Sequence, residues 1–366
     1  MKHLRNTTRT LATIVTALIL LSSLQGIVSA QSDLDPVVVL YDESHGQLFA
    51  HDDENIGLKL MLDMINASTK YELRINEDDE ITESLLNDVD VLIIAAPNDI
   101  NPFSESETSS VSEMLNNGSS LFVLGNPTID DNSNYWSEVL MQDMGDNQAI
   151  NAFLDAINVT GVRFSLNITE SEDVFGDTMF DEENTVFSNA SYSWMIHLDP
   201  TTWDTSHPIF RNINDIYTMT STLKPLELAS SIAQGYESSF AQYKMEYNRW
   251  ANYSHPNMTL DDFEQDPLSY SAVNGSLPSW LSAFEYGKSR IVIGGSALMF
   301  TGRNLDYPET DLKWFYMGDN SRLFMNIMDW LSDNFIIAPS AIIPLAILST
   351  TILGVGVVFY LFKKLR

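Results

Sequence analysis

Short runs of β-branched and aliphatic residues, separated by amphipathic segments, constrain the fold of this chain more than any other feature. Residues 37–41 (VVVLY), 89–95 (VDVLIIA) and 121–124 (LFVL) are almost uninterrupted apolar runs, which is typical of strands buried on both faces. Leu58 and Ile65 lie between the first two runs at helical spacing. Strands alternating with helices in this way predict a parallel sheet with helices on both faces, an α/β fold.

The same pattern returns near the end of the chain. Residues 290–294 (RIVIG) form another apolar run, and Leu323, Ile327 and Leu331 then share one face of a predicted helix. Between about 165 and 285 the periodicity weakens, and no internal repeat is detectable. We therefore predict one α/β domain over residues 33–333, with a large insertion at about 165–285.

The first thirty residues have the pattern of a secretory signal peptide. Lys2, Arg5 and Arg9 provide a positive start, residues 11–24 are largely apolar, and residues 28–30 (VSA) match a small-residue cleavage site. The alternative is an uncleaved N-terminal anchor. The apolar run is short for a membrane span, which favours cleavage.

A second apolar segment lies at the other end. Residues 336–362 contain no charged side chain, and about twenty apolar residues suffice to cross a bilayer. Lys363, Lys364 and Arg366 follow directly, and basic residues beside a span stay in the cytoplasm. The sequence predicts a single-pass protein of the cell membrane, with a C-terminal transmembrane helix, an extracytoplasmic N-terminal domain and a short basic tail at 363–366.

Charge and cysteine content exclude several classes of function. The chain has 50 Asp and Glu against 19 Lys and Arg, and six of those basic residues lie in the two acid-free ends. Such an acidic domain is not expected to bind nucleic acid, because phosphate neutralisation needs clustered basic residues. The excess of acidic over basic residues indicates a hydrated acidic surface; the alternative is a site for cations or for a basic partner. The absence of cysteine excludes disulfides and cysteine nucleophiles.

Asn-x-Ser/Thr sequons are confined to the predicted extracytoplasmic part. Asn126 is not one of them, because Pro127 follows it. The sequons predict a glycoprotein. The predicted acceptors are Asn66, Asn117, Asn158, Asn167, Asn189, Asn252, Asn257 and Asn274.

Polar residues follow four of the predicted strands. In open parallel sheets, ligands bind beyond the carboxyl ends of the strands, so these residues are predicted to line one binding edge by hydrogen bonding. They are Asp42, Ser44, His45, Gln47, Asn98, Asn126 and Ser296. A capping box, Ser104 to Glu107, is predicted to begin the helix after the 89–95 strand.

The same loops offer little for catalysis. Ser44 and His45 are sequence neighbours, and adjacent side chains rarely reach the nucleophile–base geometry. Neither a nucleophile elbow nor a glycine-rich phosphate loop occurs. Acidic and histidine side chains could offer metal ligands, but without a recognised spacing. We predict no metal and no cofactor. The candidate ligands are Asp42, Glu43, His45, His51, Asp52 and Asp53.

Several segments together resemble the GIFT domain family. They are VVVLYDESHGQLF (37–49), VDVLIIAAPN (89–98), NNGSSLFVLGNP (116–127), HPIFRNI (207–213), RIVIGGSALMF (290–300) and NSRLFMNIMDWL (320–331). The family is shared by an auxiliary component of gliding-motility ABC transporters, an intraflagellar-transport subunit and the accessory subunit of oligosaccharyltransferase. The resemblance implies a flavodoxin-like, class I amidotransferase-like sheet without the catalytic cysteine.

These observations predict a non-enzymatic, membrane-anchored ectodomain. It would act as a binding or scaffolding subunit of a membrane complex, transporter-associated or glycan-binding. One alternative is an accessory subunit of an oligosaccharyltransferase, with glycosyltransferase subunits as partners. A second is a metal-dependent hydrolase that uses the loop from Asp42 to His45.

Overall fold

The computed structural model describes residues 35–127, 146–168, 174–188, 193–225, 231–243, 277–305 and 310–333. Residues 37–333 form one compact unit. The predicted signal peptide, membrane span and basic tail lie outside the described residues. Within the described ranges, none of the helices has the length and apolar character needed to cross a bilayer.

The described residues form five helices and fourteen strands. The helices are α1 (Lys59–Asn66), α2 (Glu83–Leu86), α3 (Glu105–Asn117), α4 (Asn147–Ala156) and α5 (Asn320–Ser332). The first seven strands are β1 (Val37–Asp42), β2 (Tyr71–Asn76), β3 (Val91–Ala95), β4 (Ser120–Leu124), β5 (Val162–Phe164), β6 (Leu166–Ile168) and β7 (Val174–Phe180). The others are β8 (Ile196–Leu198), β9 (Ile216–Thr218), β10 (Leu223–Pro225), β11 (Ser231–Gln234), β12 (Phe240–Tyr243), β13 (Ser279–Tyr286) and β14 (Ser289–Gly294).

The main sheet begins with five parallel strands in the order β2-β1-β3-β4-β14. This is the flavodoxin-like order, with β14 in the place of the fifth strand. The remaining strands, β13, β10, β5 and β11, are antiparallel to their neighbours. The predicted parallel sheet is therefore confirmed for the first five strands, and the antiparallel half was not predicted. The change of direction arises at a tight turn at Gly287, whose φ of +63° suits glycine.

Helices cover both faces of the sheet, as predicted. On one face, Phe122 of β4 contacts Phe324 of α5 and Phe300, and α1 contacts α5. On the other face, side chains from α2, α3 and α4 pack in one buried cluster with alternate residues of the parallel strands. The strands are buried on both faces, which explains their unbroken apolar sequences.

The stretch predicted as an insertion has two roles in its described parts. β6, β7 and β12 form a small three-stranded sheet, and β8 pairs with β9. β10, β11 and most of β13 instead extend the main sheet. The main sheet and the three-stranded sheet are connected by a hydrogen bond: the amide of Thr222, the residue before β10, donates to Asp177 of β7 at 2.8 Å.

Candidate functional site

The carboxyl ends of β1, β3, β4 and β14 bring the four predicted loops to one edge of the sheet. Backbone hydrogen bonds connect them. Leu48 N donates to Ala96 O at 3.2 Å, and Ala96 N donates to Leu124 O at 2.8 Å. Gly125 N in turn donates to Gly294 O at 2.9 Å. This placement follows from the parallel pairing, since the carboxyl ends of parallel strands meet at one edge.

Asp42, the last residue of β1, is fully buried and is the centre of a hydrogen-bond network. Its Oδ1 accepts from Ser44 Oγ and from Asn76 Nδ2, both at 2.8 Å. Its Oδ2 lies 2.8 Å from His45 Nδ1 and accepts from Gln47 Nε2 at 3.0 Å. Both carboxylate oxygens are therefore occupied by protein groups. The sequence analysis did not identify Asn76, because the strand that it ends, β2, is only partly buried and is not an unbroken apolar run.

His45 lies between two carboxylates. Its Nδ1 faces Asp42, its Nε2 lies 3.3 Å from Glu107 Oε1, and its ring stacks on Phe103 with 3.7 Å between centroids. Nδ1 also lies 3.0 Å from Ser44 Oγ, so the expectation that these neighbouring side chains do not reach each other was wrong; Asp42 draws both towards its carboxylate. Burial disfavours the charged imidazole, but the bond to Asp42 and the charges of Asp42 and Glu107 outweigh it and raise the pKa of His45 above its ordinary value. Both ring nitrogens of His45 are therefore engaged by groups of the protein.

Glu107 reaches this network from the first turn of α3. The predicted capping box is confirmed, with Ser104 N donating to Glu107 Oε2 at 2.7 Å and Glu107 N donating to Ser104 Oγ at 3.3 Å. Oε1 accepts from Ile81 N at 3.0 Å. Burial raises the pKa of Glu107, but the Ser104 and Ile81 amides, together with the Ser104 hydroxyl and His45, outweigh it and lower the pKa. The capping-box pattern predicted the position of Glu107 at the start of α3, but no sequence pattern predicted its contact with His45.

The loop after β3 is fastened to the loop after β1. Asn98 Nδ2 donates to Gly46 O at 2.7 Å, and Asn98 N donates to His45 O at 3.1 Å. Asn101 Nδ2 donates to Ser44 O at 2.6 Å. Ile100 lies between these anchors with 87% of its surface exposed. Asp42, Ser44, His45, Gln47 and Asn98 thus belong to one connected cluster.

Asn126 is bonded to Asn147 of α4, whose Nδ2 donates to Asn126 O at 2.8 Å. Asn126 Oδ1 accepts from the amides of Ala297 and Leu298 at 3.1 and 3.2 Å. Ser296 Oγ accepts from Met299 N at 3.1 Å. Both side chains are buried: Asn126 joins the loop after β4 to the loop after β14, and Ser296 stabilises a turn within the latter. Ligand contact by these residues stays a prediction.

The described residues contain no group of three or more histidine and acidic side chains arranged to hold a metal ion. His51 Nδ1 lies 2.7 Å from Glu43 Oε2, and Asp53 Oδ1 accepts the Asn55 amide at 2.7 Å. Two of the candidate metal ligands thus bond each other, and a third supports a turn. The metal-dependent alternative gains no support from this geometry.

Three predicted glycosylation sites have described side chains, Asn66, Asn117 and Asn158, and all three are exposed. The other five asparagines lie outside the residues whose side chains the structure describes. Glycosylation stays a prediction.

Solved structures with a similar architecture include the mmIFT52 N-terminal domain, at 13% identity and a TM-score of 0.49, covering 81% of this chain and 97% of that one. A ThuA-like protein from Bacteroides uniformis is 10% identical with a TM-score of 0.39, covering 82% and 94% of the two chains. Cytoplasmic protein STM3548 from Salmonella typhimurium is 12% identical with a TM-score of 0.37, covering 80% and 98%. No family model and no curated protein matches the sequence. Membership of the GIFT family stays a prediction.

Proposed function

We propose that residues 37–333 form a non-catalytic binding or scaffolding domain that contacts its partner through the loops at the carboxyl edge of the sheet. The observation that carries this proposal is that both ring nitrogens of His45 contact groups of the protein itself. Both ring nitrogens face carboxylates, and the ring lies against Phe103. His45 Nδ1 also lies 3.0 Å from Ser44 Oγ, but that hydroxyl donates to Asp42 Oδ1 at 2.8 Å. A general base needs a nitrogen directed at the proton that it removes, and here the Ser44 proton is directed at the carboxylate.

The same loops are suited to contact a macromolecule. Asn98 and Asn101 anchor the loop after β3, and this ordering lowers the entropy cost of association. Leu48 and Ile100 are large apolar side chains that are 40% and 87% exposed. A pre-ordered edge with exposed apolar side chains supports recognition of a protein partner.

The finer part of the proposal rests on the sequence. The apolar segment 336–362 would tether the domain to a membrane, and its partners would be subunits of a membrane complex. Transporter subunits and glycosyltransferase subunits are the two classes to distinguish, together with a glycan ligand.

Purification of the tagged full chain in mild detergent from the membranes of its natural host tests the proposal. Ile100→Asp adds a charge at the edge, and Asn116→Asp adds the same charge at the exposed far end of α3. We expect a stoichiometric membrane-protein partner with the native chain and with Asn116→Asp, and its loss with Ile100→Asp. Equal recovery from all three would exclude the edge as the contact surface.

The identity of the partner decides the finer assignment. Recovered ABC-transporter subunits would support the transporter-associated role, and a recovered catalytic glycosyltransferase subunit would support the oligosaccharyltransferase alternative. Metal analysis of the native chain and of His45→Ala tests the hydrolase alternative. Stoichiometric metal that is lost in His45→Ala, together with hydrolysis of an ester or peptide substrate, would overturn the non-catalytic proposal.

A further inference from the structure

Strand β2 is the outer edge of the main sheet. It pairs with β1 on one side, and in the part of the chain that the structure describes no strand pairs with its other side. Leu73 and Ile75 are half-buried on this edge, and Glu72 is exposed. The outer backbone groups of an edge strand are a template for pairing with another strand.

The hydrogen bonds to β1 show which backbone groups point outwards. Val37 N donates to Lys70 O at 2.9 Å, and Glu43 N donates to Asn76 O at 2.7 Å. Alternate residues of a strand direct their backbone groups to opposite edges. The even-numbered residues of β2 therefore face β1, and the odd-numbered residues face outwards. The outward residues are Tyr71, Leu73 and Ile75.

These three residues are arranged symmetrically about Leu73. In an antiparallel pairing of two copies of β2 centred on Leu73, the two Leu73 residues exchange both of their backbone hydrogen bonds. Ile75 N of each copy then donates to Tyr71 O of the other copy. The Tyr71 amide is not required for this pairing, because it already donates to Ser68 O of its own chain at 3.3 Å. The outward groups thus match their own copy without any change in the ladder with β1.

The charges of β2 fit the same register. Glu72 and Arg74 flank Leu73 and form an ion pair within one chain, at 2.8 Å; Arg74 also donates to both oxygens of Asp88 in the same chain, at 2.7 and 2.9 Å. In the antiparallel register, Glu72 lies opposite Arg74 of the second copy, in a non-hydrogen-bonded pair where cross-strand side chains are closest. Each copy provides both members, so two oppositely charged pairs form.

The residues beyond β2 are also compatible with this pairing. Residues 77–80 (EDDE) are acidic and exposed. In the antiparallel register the two β2 strands run in opposite directions, so the acidic run after one β2 lies towards the end where the other β2 begins, and the two acidic runs do not face each other. A parallel, in-register pairing would instead place acid opposite acid, which is destabilising.

We propose that β2 is a self-association edge, at which two copies of this chain pair antiparallel about a two-fold axis through Leu73. The contact is isologous, the commonest arrangement of soluble homo-oligomers. It joins the two main sheets into one continuous sheet. It leaves the carboxyl-edge loops of both copies free for the partner proposed above, and it does not depend on that proposal.

The absence of cysteine from the chain allows the register to be tested by disulfide formation. Differently tagged full-length Glu72→Cys and Arg74→Cys chains are mixed in mild detergent and oxidised. The two cysteines lie opposite each other with Cα atoms about 4.5 Å apart, within disulfide range. We expect a disulfide between the two tagged chains. Either variant alone places its cysteines about 8 Å apart, and we expect little product from it.

Lys70→Cys is the matched control at the start of the same strand. In the proposed register it lies opposite Asn76, roughly 20 Å from its own copy, so it is expected to remain unlinked. Absence of the mixed disulfide would overturn the proposal. Equal cross-linking of all variants would also overturn it, because that indicates random collision.

Sedimentation of the uncross-linked full chain tests the charge pairing. Glu72→Arg places two arginines opposite each other, and we expect dimerisation to weaken roughly tenfold. Glu72→Arg combined with Arg74→Glu restores opposite charges, and we expect recovery of the dimer. Circular dichroism confirms that each variant is folded. A native monomer at about 0.15 M salt, or a dimer that is unchanged by Glu72→Arg, would refute the assignment.

Discussion

Asp177 provides a sharp test of the packing between the two sheets, through its replacement by asparagine. Asp177 is fully buried in β7. It accepts the Thr222 amide at 2.8 Å and is hydrogen-bonded to Thr222 Oγ1, which lies 3.1 Å from Ser165 Oγ. Burial raises the pKa of Asp177 to about 7, from a model-peptide value of 3.8. The Thr222 hydroxyl has a single proton and reaches both Asp177 Oδ2 and Ser165 Oγ. When that proton is directed at Ser165, a protonated Asp177 donates to Thr222 Oγ1, and an asparagine amide in the same place does the same.

The magnitude follows from the difference between the two pKa values. Between pH 3.8 and about 7 the unfolded chain has released this proton and the folded chain retains it. Stability therefore falls as the pH rises through this window. The difference is about three pKa units, which corresponds to a loss of about 4 kcal/mol that is complete above pH 7. Asp177→Asn removes this loss. We expect it to be close to neutral at pH 4 and to stabilise the chain by about 2–4 kcal/mol at pH 8.

Urea denaturation of both full-length proteins at several pH values measures this difference. Comparing the two proteins removes the contributions of other titrating groups. Asp181→Asn is the matched control. Asp181 is also buried, but its Oδ1 accepts the amides of Glu183 and Asn184 at 2.9 and 2.8 Å, and its Oδ2 accepts from Ser238 Oγ and Ser239 Oγ. We expect Asp181→Asn to destabilise at every pH. A stability difference between the native chain and Asp177→Asn that does not grow between pH 5 and 8 would refute the reasoning.

Three further predictions concern the carboxyl edge. The folded pKa of His45 is raised, so its stabilisation is complete below the ordinary pKa and is lost as the pH rises through the folded value. We expect His45→Gln to cost about 3 kcal/mol at pH 5.5 and clearly less at pH 9, and an equal cost at both pH values in urea titrations would contradict this. Gly46 and Gly287 both have a φ of +63°, but only at Gly46 would a Cβ collide with Asn98, at 2.3 Å from Nδ2. Gly46→Ala should therefore cost about 3 kcal/mol in thermal denaturation and Gly287→Ala about 1 kcal/mol, whereas similar costs would show that the loop yields. Ser104→Ala removes the side-chain cap of α3, and we expect it to lower the free energy of unfolding by about 1 kcal/mol in the same assay. An unchanged stability would show that the cap contributes nothing.

The sequence by itself determined the elements with the strongest local signals. The runs at β1, β3, β4 and β14 are apolar at nearly every position, because both faces of these strands are covered. The capping box of α3 was readable because its two residues lie within one turn. The placement of polar residues at one edge followed from parallel pairing alone.

Only the tertiary structure decided which of these residues meet. Glu107 contacts His45 across 62 residues of chain, and Asn126 of the β4 loop receives the amides after β14 across more than 170 residues. The antiparallel half of the main sheet was also not predicted, because β13 (SWLSAFEY) mixes serine with aromatic residues and has neither a clear alternation nor an unbroken apolar run. Periodicity records whether a side chain is buried. The partner that it meets there depends on strand order and register, which are set by the packing of the whole domain.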